Sequence, residues 1–416
     1  MDKHGLFNDK KTYDVIIVGG GIYGAVIARE CSKSGFSTVL LEKDDFCSST
    51  SANSLNVLHG GLRYLQHLNL RRMRRSIYSR RYFQQISPEN IDITPFITPL
   101  NGWGINGPVI MRIALLVNDI ISVDRNMQIS RQQHIPGGKV LSRKNLINRL
   151  PVFSENKLNG AALWYEAVMN DARHLASKLL DSAIENGAVI MNRTEASELL
   201  HQQGKVTGLR CIRQIEDKPV SIKGHIVIDT SGKCSEKLGK SLPAYQPMKQ
   251  YWSRAVNMQI DKRLFEEYAV GLKYRDNVQD RDARFNSANR HLFFLPNKNG
   301  SAIGTFYEPE NNVDGDLTIS QYDRRRYLDA VNSVLPDGSI NDKNITGWQC
   351  GWLPLDDDPA NGQLNFAKTS RIRAIEANGE FTGLLEVRSV KFTTAPAVAK
   401  DVMKIIKKVT SPKFQV

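Results

Sequence analysis

Cysteine is scarce and unpatterned in this sequence. Its five copies (Cys31, Cys47, Cys211, Cys234 and Cys350) are odd in number and scattered, with no CxxC spacing. That excludes a recognisable disulfide framework or zinc-ligand set, and it fits reduced thiols in a cytoplasmic protein. No apolar run approaches 18 residues without charges, so no membrane-crossing helix is expected. The opening MDKHGLFNDKKTYD has charges but no apolar core, which argues against a secretory signal. There is no GxSxG elbow for serine hydrolysis, no internal repeat and no low-complexity segment. Asp356-Asp357-Asp358 has no histidine partner and reads as a solvated loop, so no metal is expected.

What the chain does have is length for two joined lobes and a basic balance, 416 residues with net charge +13. The densest basic stretch is Arg71-Arg72-Met73-Arg74-Arg75, followed by Arg80-Arg81. A solvated helix is the plain reading. Peripheral contact with an anionic membrane on the inner face is the second, because Met73, Ile77, Tyr78 and Phe83 lie among the charges. No nucleic-acid-binding motif accompanies the charge, and no nucleic-acid partner is expected.

The organising stretch is Tyr13–Lys43, YDVIIVGGGIYGAVIARECSKSGFSTVLLEK. An apolar strand, Val15 to Val18, meets Gly19-Gly20-Gly21, and a helix of small and apolar residues runs on from Gly24 to Gly35. A second apolar strand, Thr38–Leu41, stops at Glu42, 18 residues after Gly24. This is the dinucleotide fingerprint: Gly19 for the tight turn, Gly21 for approach of a pyrophosphate, Gly24 for helix–strand packing. The helix N-terminus offers N–H groups to phosphates, and Glu42 can accept from a ribose diol.

Downstream, helices are expected at 69–85, 142–150, 171–186 (Asn170 as its N-cap), 319–334 and 395–408. Strands are expected at 160–165, 188–193, 196–201, 206–213, 221–228, 255–260, 291–295, 301–305 and 380–385. Residues 95–140 hold four prolines and an apolar patch at Val109–Val117 whose topology is not legible. The alternation implies an α/β chain with an antiparallel-rich second lobe.

Three stretches separate a flavin from a nicotinamide reading: Asp229-Thr230-Ser231-Gly232 after an apolar strand, the turn before the last helix, and DDFCSSTSANS leading into HGGLRYL. Together with Arg388-Ser389-Val390-Lys391-Phe392-Thr393-Thr394 and LFFLPNKNGSAIGTF, they resemble the FAD-dependent glycerol-3-phosphate dehydrogenase family of D-amino-acid-oxidase-like flavoproteins. The resemblance covers most of the chain, without that family's separate C-terminal domain. It implies a glutathione-reductase-type FAD-binding Rossmann domain (1–95, 141–240 and 345–416, discontinuous) and an antiparallel-sheet substrate domain (96–140 and 241–344).

The resemblance carries cofactor contacts onto Gly19, Gly21, Gly24, Glu42, Lys43, Ser49, Thr50, Ser51, Ala196, Ser231 and Gly232. It further implies that His59, Gly60 and Gly61 line the flavin ring and that Lys391, Phe392, Thr393 and Thr394 meet its carbonyl side. His59 is the candidate base and Lys391 the candidate charge stabiliser.

The departures bear on substrate. Where that family has an arginine and a lysine before HGG, this chain has Asn53 and Asn56. Where it has the arginine of GVRPL, this chain has Trp352, and a third cationic position falls on Lys368. Replacing two phosphate forks by an amide and an indole is not conservative, so glycerol 3-phosphate is not the expected substrate. Arg254, Tyr307 and Arg388 are further pocket candidates by placement, and Trp352 offers an aromatic face for a sugar ring or apolar group. The expected function is FAD-dependent oxidation of a CH–OH group of a small polar molecule, with a quinone or O2 as acceptor. The alternatives are an amino-acid or amine oxidase, or a flavin-binding protein without catalysis.

Overall fold

The computed structural model describes residues 10–102, 104, 107–214, 217–243, 245–274, 290–310, 317–336, 338, 340–359 and 364–410. Residues 1–9 lie outside that set, and Thr12 opens the first strand. The chain divides into two compact units, with boundaries at Ala52/Asn53, Asn170/Asp171, Gln250/Tyr251 and Phe366/Ala367. Segments 53–95, 141–170 and 345–366, assigned from sequence to the nucleotide domain, therefore lie in the second unit. The reason is strand pairing: these segments supply strands to the second unit's sheet.

The first unit opens with β1 (Thr12–Val18), α1 (Ile22–Lys33) and β2 (Thr38–Leu41). The second contributes β3 (Val57–Leu58), α2 (Leu70–Ile86), β4 (Ile91–Leu100), α3 (Pro108–Ile121), β5 (Lys139–Ser142), α4 (Arg143–Arg149) and β6 (Gly160–Met169). The first resumes with α5 (Ala172–Glu185), β7 (Val189–Met191), β8 (Thr194–Gln202), β9 (Lys205–Arg213), β10 (Lys218–Asp229) and α6 (Glu236–Gly239). Then come β11 (Tyr251–Ile260), β12 (Ala269–Tyr274), β13 (Arg290–Asn297), β14 (Gly300–Glu310), α7 (Gln321–Val334) and β15 (Ile345–Leu355) in the second. The first ends with β16 (Arg371–Ala377), β17 (Glu380–Arg388) and α8 (Ala395–Thr410).

In the first unit the central sheet runs β16-β17-β10-β1-β2-β7, and all its pairs are parallel except β16 with β17. Its inner strands are buried on both faces, as a parallel sheet requires, which is why β1 and β2 read as unbroken apolar runs. One face packs its Ile16, Val39 and Val189 against Leu199, Leu209 and Leu238 from the β8–β9 pair and α6. Helix α1 carries Arg29 against Ser182 of α5 and Cys31 against Met403 of α8. The chain leaves β1 through α1 to β2 on one side, while β10 lies on β1's other side. This makes the carboxyl end of β1 a switch point, where open α/β sheets bind ligands.

The second unit is one mainly antiparallel sheet, β15-β11-β14-β13-β12-β4-β6-β3, with β5 added on β6. Helix α7 covers one face, placing Tyr327, Leu328 and Val331 among Val256, Met258, Ile303 and Phe306. Helix α2 buries Met73, Ile77 and Phe83, three of the four residues that suggested membrane contact, while Tyr78 is exposed. Its arginines are partly structural: Arg74 and Arg81 both reach Asp124, and Arg74 also donates to the Ile121 carbonyl at the end of α3.

One capping expectation is corrected. Asp171, not Asn170, caps α5: its Oδ1 accepts the Arg173 N–H at 2.7 Å, while Asn170 N–H donates to the Asn90 carbonyl. Asp171→Ala is expected to lower unfolding free energy by about 1 kcal/mol in denaturant titration, with Asn170→Ala costing clearly less.

Candidate active site

In the first unit four stretches converge on the start of α1. Gly19 has φ +103°, and its own carbonyl, with that of Val18, accepts the Thr230 hydroxyl at 2.9 and 2.8 Å. A β-carbon at Gly24 would collide with the Gly19 carbonyl, so helix and strand touch there only because Gly24 has no side chain, and a β-carbon at Gly19 would strike the Thr230 backbone. The N-cap Gly21 supplies no side-chain bond, and Ser51 Oγ instead accepts the Ile22 N–H at 3.1 Å.

Tyr23, inside the fingerprint but not singled out by it, is the connecting residue. Its buried hydroxyl donates to the Lys391 carbonyl at 2.8 Å and lies 2.9 Å from Thr394 Oγ1 and 3.1 Å from Ser370 Oγ. Burial pushes its phenol above the ordinary range. The Lys391–Thr394 turn, which leads directly into α8, is thereby tied to the first turn of α1. The available signal was the phenol itself, since a buried hydroxyl on a fingerprint helix requires a partner.

Glu42 accepts Gly20 N–H on Oε2 at 2.6 Å and Asp44 N–H on Oε1 at 2.9 Å, and burial raises its pKa. A carboxylate has about four acceptor sites, so both oxygens keep capacity for a diol. Thr194 N–H donates to the Glu42 carbonyl, which holds the start of β8, and with it Ala196, alongside. Lys43 pairs with Asp44 at 3.2 Å on the surface, and Ser49 and Thr50 are exposed. Ser231 donates N–H and O–H to Asp229 Oδ1 at 2.9 and 2.6 Å, and Gly232 follows with φ +67°. Arg388 is buried at the end of β17, 3.5 Å from Gln250. Lys368 lies two residues before Ser370.

A dinucleotide fits this end of the unit: an open helix start, a close glycine turn and a half-satisfied acid stand together, with a second helix start tied in by Tyr23.

In the second unit the His59-Gly60-Gly61 turn is held by a buried ion pair. Gly60 N–H and Arg80 both donate to Glu166 Oε2, at 2.6 and 2.9 Å, and a β-carbon on Gly60 would strike the guanidinium. His59 itself is exposed. A cavity of about 20 Å³ behind the turn, bounded by Gly60, Arg80, Arg125 and Glu166, has room for one water. His291 is pushed down to about 4 by burial, with Arg63 and Lys273 adding to the shift.

The substrate candidates of this unit do not share a face. Arg254 donates to Asp323 of α7 at 3.0 Å and to the Thr318 carbonyl. Trp352 lies opposite Arg254 in the β11–β15 ladder and packs edge-on against Trp252, which places it on the α7 side. Tyr307, opposite Ala255, points to the other face and packs on Phe366 with ring centroids 4.8 Å apart. Arg254 thus ties the sheet to α7, and Trp352 packs beside it on Trp252, so these two and Tyr307 lie on opposite faces of the sheet. Asn53 lies in the loop before β3.

A parallel nucleotide-binding sheet with this glycine turn and a large antiparallel sheet in the same chain define an FAD-binding flavoprotein of the glutathione-reductase type. The chain belongs to the FAD dependent oxidoreductase (DAO) family, which it matches over residues 14–404. It is 26% identical to an aerobic glycerol-3-phosphate dehydrogenase of Staphylococcus aureus over 408 residues, 98% of this chain and 68% of that protein. With the Staphylococcus haemolyticus enzyme of the same name it shares 28% over 358 residues, 85% of this chain and 60% of the other. The chain thus spans about two thirds of the length of these curated relatives. Among solved structures, glycerol-3-phosphate dehydrogenase from Bacillus halodurans complexed with FAD superposes with TM-score 0.71 at 19% identity, covering 96% of this chain and 65% of that one. L-alpha-glycerophosphate oxidase from Mycoplasma pneumoniae with FAD bound gives 0.67 at 16%, covering 95% of each.

Two outcomes follow. Arg80→Met is expected to destabilise by about 3–5 kcal/mol in denaturant titration, because Glu166 is left charged and buried, and Glu166→Leu in the same chain is expected to recover part of that. Asp229 is fully buried, with Oδ2 lacking a partner, and burial pushes its carboxyl up to about 7. The folded state therefore keeps a proton that the unfolded state loses near pH 4. Stability from this group is full at low pH and falls as pH rises toward 7. In melts across that range, Asp229→Asn is expected to gain stability over the parent progressively with pH.

Proposed function

We propose that this protein is a flavoenzyme that oxidises a CH–OH group of a small polar substrate other than glycerol 3-phosphate and passes the electrons to a quinone or dioxygen. When bound, FAD supplies the hydride-accepting ring. The observation that carries the cofactor reading is the convergence at α1, where Gly19, Gly21, Glu42, Ser51 and the Tyr23-tethered turn stand together. In this reading the α1 N-terminus and Ser51 receive the pyrophosphate and Glu42 the ribose hydroxyls. Lys391 stabilises negative charge, and His59, held by the Gly60–Glu166–Arg80 network, takes the hydroxyl proton.

The substrate reading rests on the residues that replace cations. Asn53 and Trp352 stand where glycerol-3-phosphate dehydrogenases are expected to have arginines, and Arg254 is committed to Asp323. Lys368, Lys391 and Arg388 remain as candidates for a single anionic group. A carboxylate held by the buried Arg388 favours an amino acid as the second reading, in keeping with a solved-structure neighbour named glycine oxidase from Bacillus cereus. The buried Cys31, Cys47 and Cys211, with the Cys47 thiol pushed up to about 12, suit a reducing cytoplasm.

Protein purified with its cofactor is expected to be yellow and to release FAD on denaturation. Under anaerobic conditions its absorbance should bleach with a polyol, sugar or 2-hydroxy acid from a panel, and not with glycerol 3-phosphate. His59→Asn should slow that bleaching about 100-fold or more without loss of FAD. Rapid bleaching by glycerol 3-phosphate would overturn the substrate reading, and release of NAD alone would overturn the whole.

A further inference from the structure

Helix α3 shows its apolar side to solvent. Val109, Ile113, Leu116 and Ile120 are 64%, 53%, 60% and 64% exposed, and Val123 and Met127 just beyond it are 82% and 53% exposed. These helix positions follow i, i+4, i+7, i+11, one stripe along the axis. The opposite side of the same helix does the packing: Leu115 and Met111 meet Leu100 and Ala162, and Ile121 meets Tyr64, Met73 and Ile77. Leu68 and Leu70, at the start of α2, are exposed as well.

The charge around this stripe has one sign. Residues 68–86 contain six arginines and no acid, and residues 107–140 contain four basic residues against two acids, Asp119 and Asp124. Both acids are neutralised internally, Asp119 by Arg125 at 3.2 Å and Asp124 by Arg74 and Arg81. Arg112 on the stripe's flank and Arg71 beside Leu70 are exposed. No helix among the described residues is long and apolar enough to cross a membrane.

We infer that α3, with Leu68, Leu70, Val123 and Met127, is a monotopic anchor that lies in the surface of an anionic lipid bilayer, its apolar stripe among the acyl chains and its arginines on the headgroups. The stripe suits a bilayer surface because its residues share one face of a straight helix. The basic rim selects an anionic surface. The surface lies within the second unit, and the inference stands independently of the proposed chemistry. The contact expected at Met73, Ile77 and Phe83 of α2 moves to α3 and the exposed start of α2, because those three residues are core.

The test is sedimentation of the full chain, with its flavin, onto vesicles of phosphatidylcholine alone or mixed with phosphatidylglycerol. Binding to the mixed vesicles, weakened by salt, is expected. Ile113→Glu with Leu116→Glu should reduce it about tenfold or more, while circular dichroism and bound flavin stay unchanged because both side chains are exposed. Arg71→Glu with Arg112→Glu should weaken binding to the mixed vesicles, and Val152→Glu, an exposed apolar site elsewhere, should leave it intact. Absence of binding by the parent chain, or binding that survives the α3 change, overturns the proposal. So does a dimer that the α3 change splits without any vesicle binding, since the stripe is then a contact between two copies.

Discussion

The first turn of α1 is the constraint on which the first unit depends. Helix and strand approach at Gly19 and Gly24 until backbone touches backbone, and Thr230 locks the turn through two carbonyls. The N-cap Gly21 has no side chain to cap with, so Ser51 accepts the Ile22 N–H, and Tyr23 ties in the turn that begins α8. Two positive helix ends are thereby fixed within one unit before any ligand arrives. Rigid placement of such dipoles lowers the ordering cost of binding an extended anionic cofactor.

The buried charges follow a different logic. Arg80 and Glu166 are costly to bury, yet the pair carries the backbone of Gly60 and so fixes the direction of the His59 turn. Glu386 is similarly enclosed, with Arg373 at 2.6 Å and the Tyr245 hydroxyl at 2.5 Å. Asp229 differs: burial raises its pKa, against the lowering effect of the Ser231 bonds to one oxygen, and the other oxygen has no partner, so it holds its proton. Its tolerance at the buried end of β10 rests on neutrality, not on pairing.

Elements with a clear period were legible: β1, α1, β2, α5 and α8 have uninterrupted apolar patterns and local stop signals. Strands β4, β12, β15 and β16 were not. β4 contains Pro95 and Pro99, normally arguments against a strand, but its second neighbour β12 bonds only Phe96 and Ile97 and so does not demand those donors. β15 mixes glycine, tryptophan and proline because one face meets α7 and the other does not. The cradle residues were legible because local spacing encodes them. The roles of Arg254, Trp352 and Arg80 were not, because a partner distant in sequence decides which way each side chain is spent.

Helices α2 and α3 make the same point in opposite directions. In α2 a dense arginine run surrounds a stripe that turns out to be core, and three of its guanidinium groups serve as internal ties. In α3 a nearly continuous apolar run was unreadable because hydrophobic residues occupy both sides, leaving periodicity without contrast. Only the tertiary contacts tell which half is core. Leu115 and Ile121 are covered, and the remaining apolar surface is larger and more aligned than scattered exposure would leave. A fold that ties down the end of such a helix with Arg74 on the Ile121 carbonyl, while leaving Val109, Ile113, Leu116 and Ile120 outside, holds that face in a fixed orientation for something apolar beyond the chain.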